Sequence, residues 1–118
     1  MMGPPIFLML KPLSMKPTKF LFEISQEDSG RFRLEGELSF VSVLAAMKKT
    51  AGYFASPVDK MVFDLAGITK ADSAGLALLL EWLRLAGQSG IDLHYVNLPG
   101  QLLAMAHVAG VDDILIID

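Results

Sequence analysis

The chain predicts an α/β fold built on a mainly parallel sheet, and three observations carry that prediction. Short apolar runs alternate with stretches of helical spacing, and two alternating arms meet at a turn signal ahead of them. With 53% hydrophobic residues in 118, the chain also has enough apolar side chains to bury the core of one domain.

The opening arms are "FLFEISQ" (20–26) and "RFRLEGE" (31–37), separated by "EDSG"; apolar and polar residues alternate in both, which predicts a β-hairpin. "SFVSVLAAMKKTA" (39–51) places Phe40, Val43, Leu44 and Met47 at helical spacing, with Ser39 as the expected cap and Gly52 as the stop. In "KMVFDLAG" the run through Val62 and Phe63 predicts a short strand, buried on both faces and ending at Asp64. A helix is expected from Ser73 to Gln88, stopped by Gly90, then a strand over "IDLHYVN" (91–97). Pro99 opens a helix reaching His107, since proline suits a first helical position, and a last strand is expected over Ile114–Ile117. The predicted order is β-β-α-β-α-β-α-β, with right-handed crossovers between parallel strands and the hairpin adding an antiparallel edge.

Residues 1–19 differ in character. They hold four prolines and an apolar patch, Ile6–Leu10, far shorter than the ~20 residues of a membrane span. Their positive charges follow the patch and no small-residue cleavage pattern comes after, which argues against a secretory signal. A disordered leader is expected there, with one domain over residues 20–118 and no direct membrane insertion.

A net charge of −3, with scattered Lys and Arg, gives no field for a phosphate backbone, so nucleic acid is excluded as a natural partner. The chain has no Cys, and its two His, His94 and His107, lack ligand-like spacing, so neither a metal nor a disulfide frame is expected. Phosphate-cradling, dinucleotide, zinc-protease and nucleophile-elbow motifs are absent, and no cofactor is expected. Asp64 and Asp72 form the only carboxylate pair worth weighing; each follows an apolar run, where solvated loop acids are common. No catalytic residue is assigned.

Two features of the 73–88 helix point to binding. On a wheel at about 100° per residue, Leu76, Leu79, Leu80 and Leu83 form a stripe for the sheet, while Leu78, Trp82 and Leu85 fall on a separate flank. That flank is either covered by a neighbouring helix or a partner surface anchored by Trp82. At the helix start, the Ser73 hydroxyl is expected to accept from first-turn N–H groups, with Asp72 adding charge beside the positive helix end. The same position tolerates a phosphate, and Ala74 and Gly75 leave room for a partner to approach.

The string D-x-x-G-I-x-x-x-D-S-A-G-L over Asp64–Leu76, following an apolar strand and opening a helix, resembles the STAS domain family of the anti-sigma-factor antagonists. The resemblance extends from about Phe20 to Ile117, and "DSAGLALLLEWLRLA" is most similar to the MlaB-type branch, where Thr commonly stands in place of Ser73. It implies a SpoIIAA-like fold and a non-enzymatic, cytoplasmic protein. In the MlaB branch such a domain binds the ATPase subunit of an ABC complex that moves phospholipid to or from the outer membrane. In the antagonist branch, the implied partner is an anti-sigma kinase that phosphorylates the serine matching Ser73. The candidate binding residues are therefore Ser73, Asp72, Gly75, Leu78 and Trp82.

Overall fold

A computed structural model describes residues 21–115. Strands β1 (Phe22–Asp28) and β2 (Arg31–Leu38) form the expected antiparallel hairpin. Helix α1 (Val43–Thr50) leads to β3 (Lys60–Ala71), α2 (Ser73–Gln88) to β4 (Asp92–Val96), and α3 (Gly100–Ala109) is followed by the short α4 (Asp112–Leu115). The sheet order is β1-β2-β3-β4, with β2–β3 and β3–β4 parallel. Both crossovers step the same way across the sheet, so right-handed connections put α1 and α2 on one face.

That face is the core. Phe32, Phe63 and Tyr95 lie in one row across three strands, and the Phe63 ring meets the Phe32 and Trp82 rings edge-on at 5.7 and 5.2 Å. Such T-shaped pairs set the positive edge of one ring against the negative face of the next. The Tyr95 hydroxyl donates to the Leu79 carbonyl at 2.6 Å, so burial of this phenol leaves no polar atom stranded. Rows on the other face are polar, with Arg31 beside Val62 and His94, and Arg33 beside Asp64 and Val96.

Four expectations need correction. First, α1 begins at Val43 rather than Ser39. Residues Ser39–Ser42 form a turn in which Ser42 Oγ accepts from the Ser39 N–H and donates to the Glu37 carbonyl. Those bonds tie the serines to the end of β2, so Ser39 is no helix cap. Second, β3 runs seven residues past Asp64. There it keeps β2 as a partner but has lost β4, whose pairing ends at Asp64 opposite Val96. Third, the stripe of α2 most deeply buried is Gly75, Leu79, Trp82 and Ala86, while Leu80 and Leu83 are only partly buried. Trp82 therefore faces the sheet. Fourth, Ile114 and Leu115 belong to α4 and not to a strand: both amides bond the Val111 carbonyl, and Asp112 and Asp113 suit the positive end of a first turn. The remainder of that expected strand, like the expected leader, lies outside the described residues.

Candidate functional site

The end of β3 and the start of α2 make a corner held by one carboxylate. Asp72, in extended backbone, is the residue that caps α2: Oδ1 accepts from the Ala74 and Gly75 amides at 2.9 and 3.3 Å. Its Oδ2 accepts from the Phe40 amide at 3.0 Å, joining the β2–α1 turn to the same corner. The Phe40 amide bond, opposed by burial and aided by the two capping amides, holds the Asp72 carboxyl below its ordinary range.

Asp72 thus performs the role expected of Ser73. Ser73 is the first residue of α2 and is exposed, its hydroxyl left over from capping. It stands on the rim of an open apolar hollow of about 390 Å³ lined by Leu76, Ala104, Met105, Val108 and Ala109.

Gly75 has a structural reason to be glycine. A Cβ there would sit 2.0 Å from the Leu38 carbonyl oxygen, so only glycine lets α2 start this close to β2. Gly67, the other glycine of the string, is similar, with a Cβ falling 2.7 Å from the Leu34 carbonyl oxygen. Gly75 is buried and sets a backbone approach without presenting itself to a partner.

Leu78 and Trp82 are corrected as well. They are 3% and 1% exposed, and α1 covers the flank expected to carry them. Trp82 Nε1 donates to Thr50 Oγ1 at 3.0 Å, and the Thr50 hydroxyl in turn donates to the Ala46 carbonyl. The indole lies between helix and sheet as a core residue, so it cannot anchor a partner on the surface.

A second apolar surface near the corner runs from the Ser39–Ser42 turn onto α1. Phe40, Val41, Leu44 and Met47 are 79%, 64%, 70% and 46% exposed, whereas the helix turns Ala46 and Thr50 inward, with Ser42 buried just ahead of it. The helical spacing of Phe40, Leu44 and Met47 was legible, but not its direction. The signal lay in the second stripe, Ser42-Ala46-Thr50, whose small side chains let α1 pack closely on α2 and leave the large ones outside.

Asp64 and Asp72 do not form a pair, being eight residues apart along an extended segment, or roughly 26 Å at ~3.3 Å per residue. Asp64 is buried on the polar sheet face, accepting from Asn97 Nδ2 and the Ala66 amide at 2.9 Å each and from Arg31 at 3.4 Å. Burial works against its charge, but the Asn97 and Ala66 bonds and the nearby arginines outweigh it and keep its carboxyl below the ordinary value. His94 and His107 make local contacts with Asp92 and Asp112, and neither touches the corner.

A family model described as "Mlab, STAS domain" matches residues 22–117. The chain belongs to the MlaB-type STAS domain family. Two solved structures share the fold. The anti-sigma factor antagonist SpoIIAA in its unphosphorylated form is 16% identical with a TM-score of 0.63, over 80% of this chain and 85% of its own. An anti-sigma factor antagonist from Mycobacterium paratuberculosis is 20% identical with a TM-score of 0.65, over 80% and 81%. No curated protein matches by sequence. STAS domains are generally binding and regulatory modules that work through protein–protein contacts. Among the described residues no helix is long and apolar enough to cross a membrane.

Proposed function

We propose that this STAS domain is a non-catalytic, cytoplasmic subunit that docks on the ATPase of an ABC transporter moving phospholipid to or from the outer membrane. The observation that carries the reading is the exposed strip Phe40-Val41-Leu44-Met47, joined to the Asp72–Ser73 corner by the Phe40 amide bond. Large apolar side chains held out on a hydrogen-bonded turn and the helix that follows it, beside a small exposed serine, provide the anchors and the close approach of a protein interface. The MlaB-type family match supports a transporter ATPase as the partner, and through it a position peripheral to the inner membrane.

The free Ser73 hydroxyl favours a second reading, an anti-sigma-factor antagonist released from its kinase by phosphorylation. A phosphate on this exposed residue would lie beside the positive end of α2, which favours negative charge, although Asp72 already holds the Ala74 and Gly75 amides. Co-purification with the ATPase encoded nearest the gene separates the two readings. Wild type is expected to recover the complex and Ser73→Arg to lose it, because a large cation at a packed contact also faces the positive helix end. Equal recovery from both removes Ser73 from the interface. If the wild type captures a kinase instead, and Ser73→Glu releases it, the second reading replaces the first.

A further inference from the structure

The two edges of β3 differ over its last residues. Toward β2 the ladder continues to the end, with Leu38 beside Ala71 and the Asp72 amide on the Leu38 carbonyl. Toward β4 it stops at Asp64. Among the described residues, backbone groups on that edge beyond Asp64 have no strand to bond, and an unpaired amide beside packed helices needs another acceptor. Side chains supply two. Asp64 Oδ1 takes the Ala66 amide where β4 departs, and Gln101 Oε1 takes the Ala71 amide at 3.1 Å, immediately before Asp72.

Gln101 sits in the first turn of α3, whose chain leaves β4 through Asn97 in the left-handed conformation (φ 58°). Asn97 is itself held by Asp64. One carboxylate therefore ends the β3–β4 ladder and fixes the exit toward α3, and α3 then reaches back across the sheet to the end of β3.

We propose that Gln101 is a positioning residue: its side-chain amide stands in for the missing strand carbonyl beside Ala71 and locks the Ala71–Asp72–Ser73 corner against α3. The proposal rests on the reading that this corner meets a partner. Asp72 sets the start of α2 and the place of Phe40, so freedom at Ala71 passes directly to both ends of the proposed contact. It also assigns α3 a role, that of holding Ser73 and the neighbouring apolar hollow in register.

The test uses the full chain with Gln101→Met, which keeps the length of the side chain and removes the acceptor, and Gln101→Glu, which keeps an acceptor. Gln101 is exposed apart from this bond, so both variants are expected to fold. Amide hydrogen exchange by NMR reads the lock without any partner. Gln101→Met is expected to speed exchange at Ala71 about two- to tenfold, the scale of one hydrogen bond, and to leave Phe63 in the strand core unchanged. Gln101→Glu is expected to restore the wild-type rate. Unchanged Ala71 exchange in Gln101→Met, or no rescue by Gln101→Glu, overturns the lock.

Capture of the transporter ATPase is the second readout. It is expected to weaken by a similar factor in Gln101→Met and to recover in Gln101→Glu. Faster exchange with undiminished capture overturns the link between lock and contact. Failure of the wild type to capture the ATPase counts against the proposed function alone, and the exchange rates still decide the role of Gln101.

Discussion

Replacing Trp82 by alanine tests whether this residue is core or interface. The indole is 1% exposed, packs edge-on against Phe63 at 5.2 Å, lies 6.4 Å from Phe22, and bonds Thr50. Truncation leaves a cavity between α1, α2 and the sheet, for which Trp→Ala losses run to about 3–5 kcal/mol. It also deprives the Thr50 hydroxyl of its donor, a smaller cost because that group keeps its bond to Ala46. Against a total stability of about 5–15 kcal/mol for a domain, such a loss is large and corresponds to a fall of roughly 12 °C or more in melting temperature. Trp82 is the chain's only tryptophan, so its fluorescence disappears with it and urea unfolding should be followed by far-UV circular dichroism. A loss below about 1 kcal/mol would mean the indole is not packed as described and would return it to the surface as a candidate anchor.

Other substitutions separate the cap from its neighbours. Ser73→Ala should stay within about 0.5 kcal/mol of wild type in chemical denaturation, as an exposed position with no capping role does; a larger loss would make Ser73 the cap. Gly75→Ala should cost at least about 1–3 kcal/mol because its Cβ collides with the Leu38 backbone, and a wild-type melting temperature would contradict that contact. Asp72 has a lowered folded-state pKa, so its charge stabilises the fold above the ordinary carboxylate value of 3.8 and that contribution fades as pH falls through the lower folded value. Asp72→Asn should therefore be less stable than wild type at neutral pH, with the gap closing below about pH 4, as read by melting temperature against pH; a constant gap would show that the charge does not matter.

How much could be read without coordinates differs from element to element. Patterns of period two and 3.6 located the hairpin, the three main helices and the inner strands, because each such pattern records which side chains face the core. Direction was harder. The large residues of α1 point outward because Ser42, Ala46 and Thr50 are small enough to sit against α2, a preference that appears only once both helices are placed. Trp82 misled for the same reason: its flank is polar-free in sequence, but its cover comes from Thr50, thirty-two residues away. The length of β3 was hidden because its end is held by side chains from α3 and by Asp64 rather than by a second strand. At the corner, Asp72 and Ser73 were both legible as candidates, but which oxygen caps the helix depends on a one-residue difference in backbone conformation that composition does not encode.

The most direct measurement is the affinity of the purified chain for the transporter ATPase, by titration calorimetry, compared with Leu44→Asp. Leu44 is 70% exposed, so the substitution should leave the unfolding midpoint within about 0.5 kcal/mol of wild type. At the centre of a docked apolar strip the same change buries an unpaired charge, and affinity should fall by about thirtyfold or more, the scale of an interface hot spot. Equal affinity with an intact fold would contradict docking through α1.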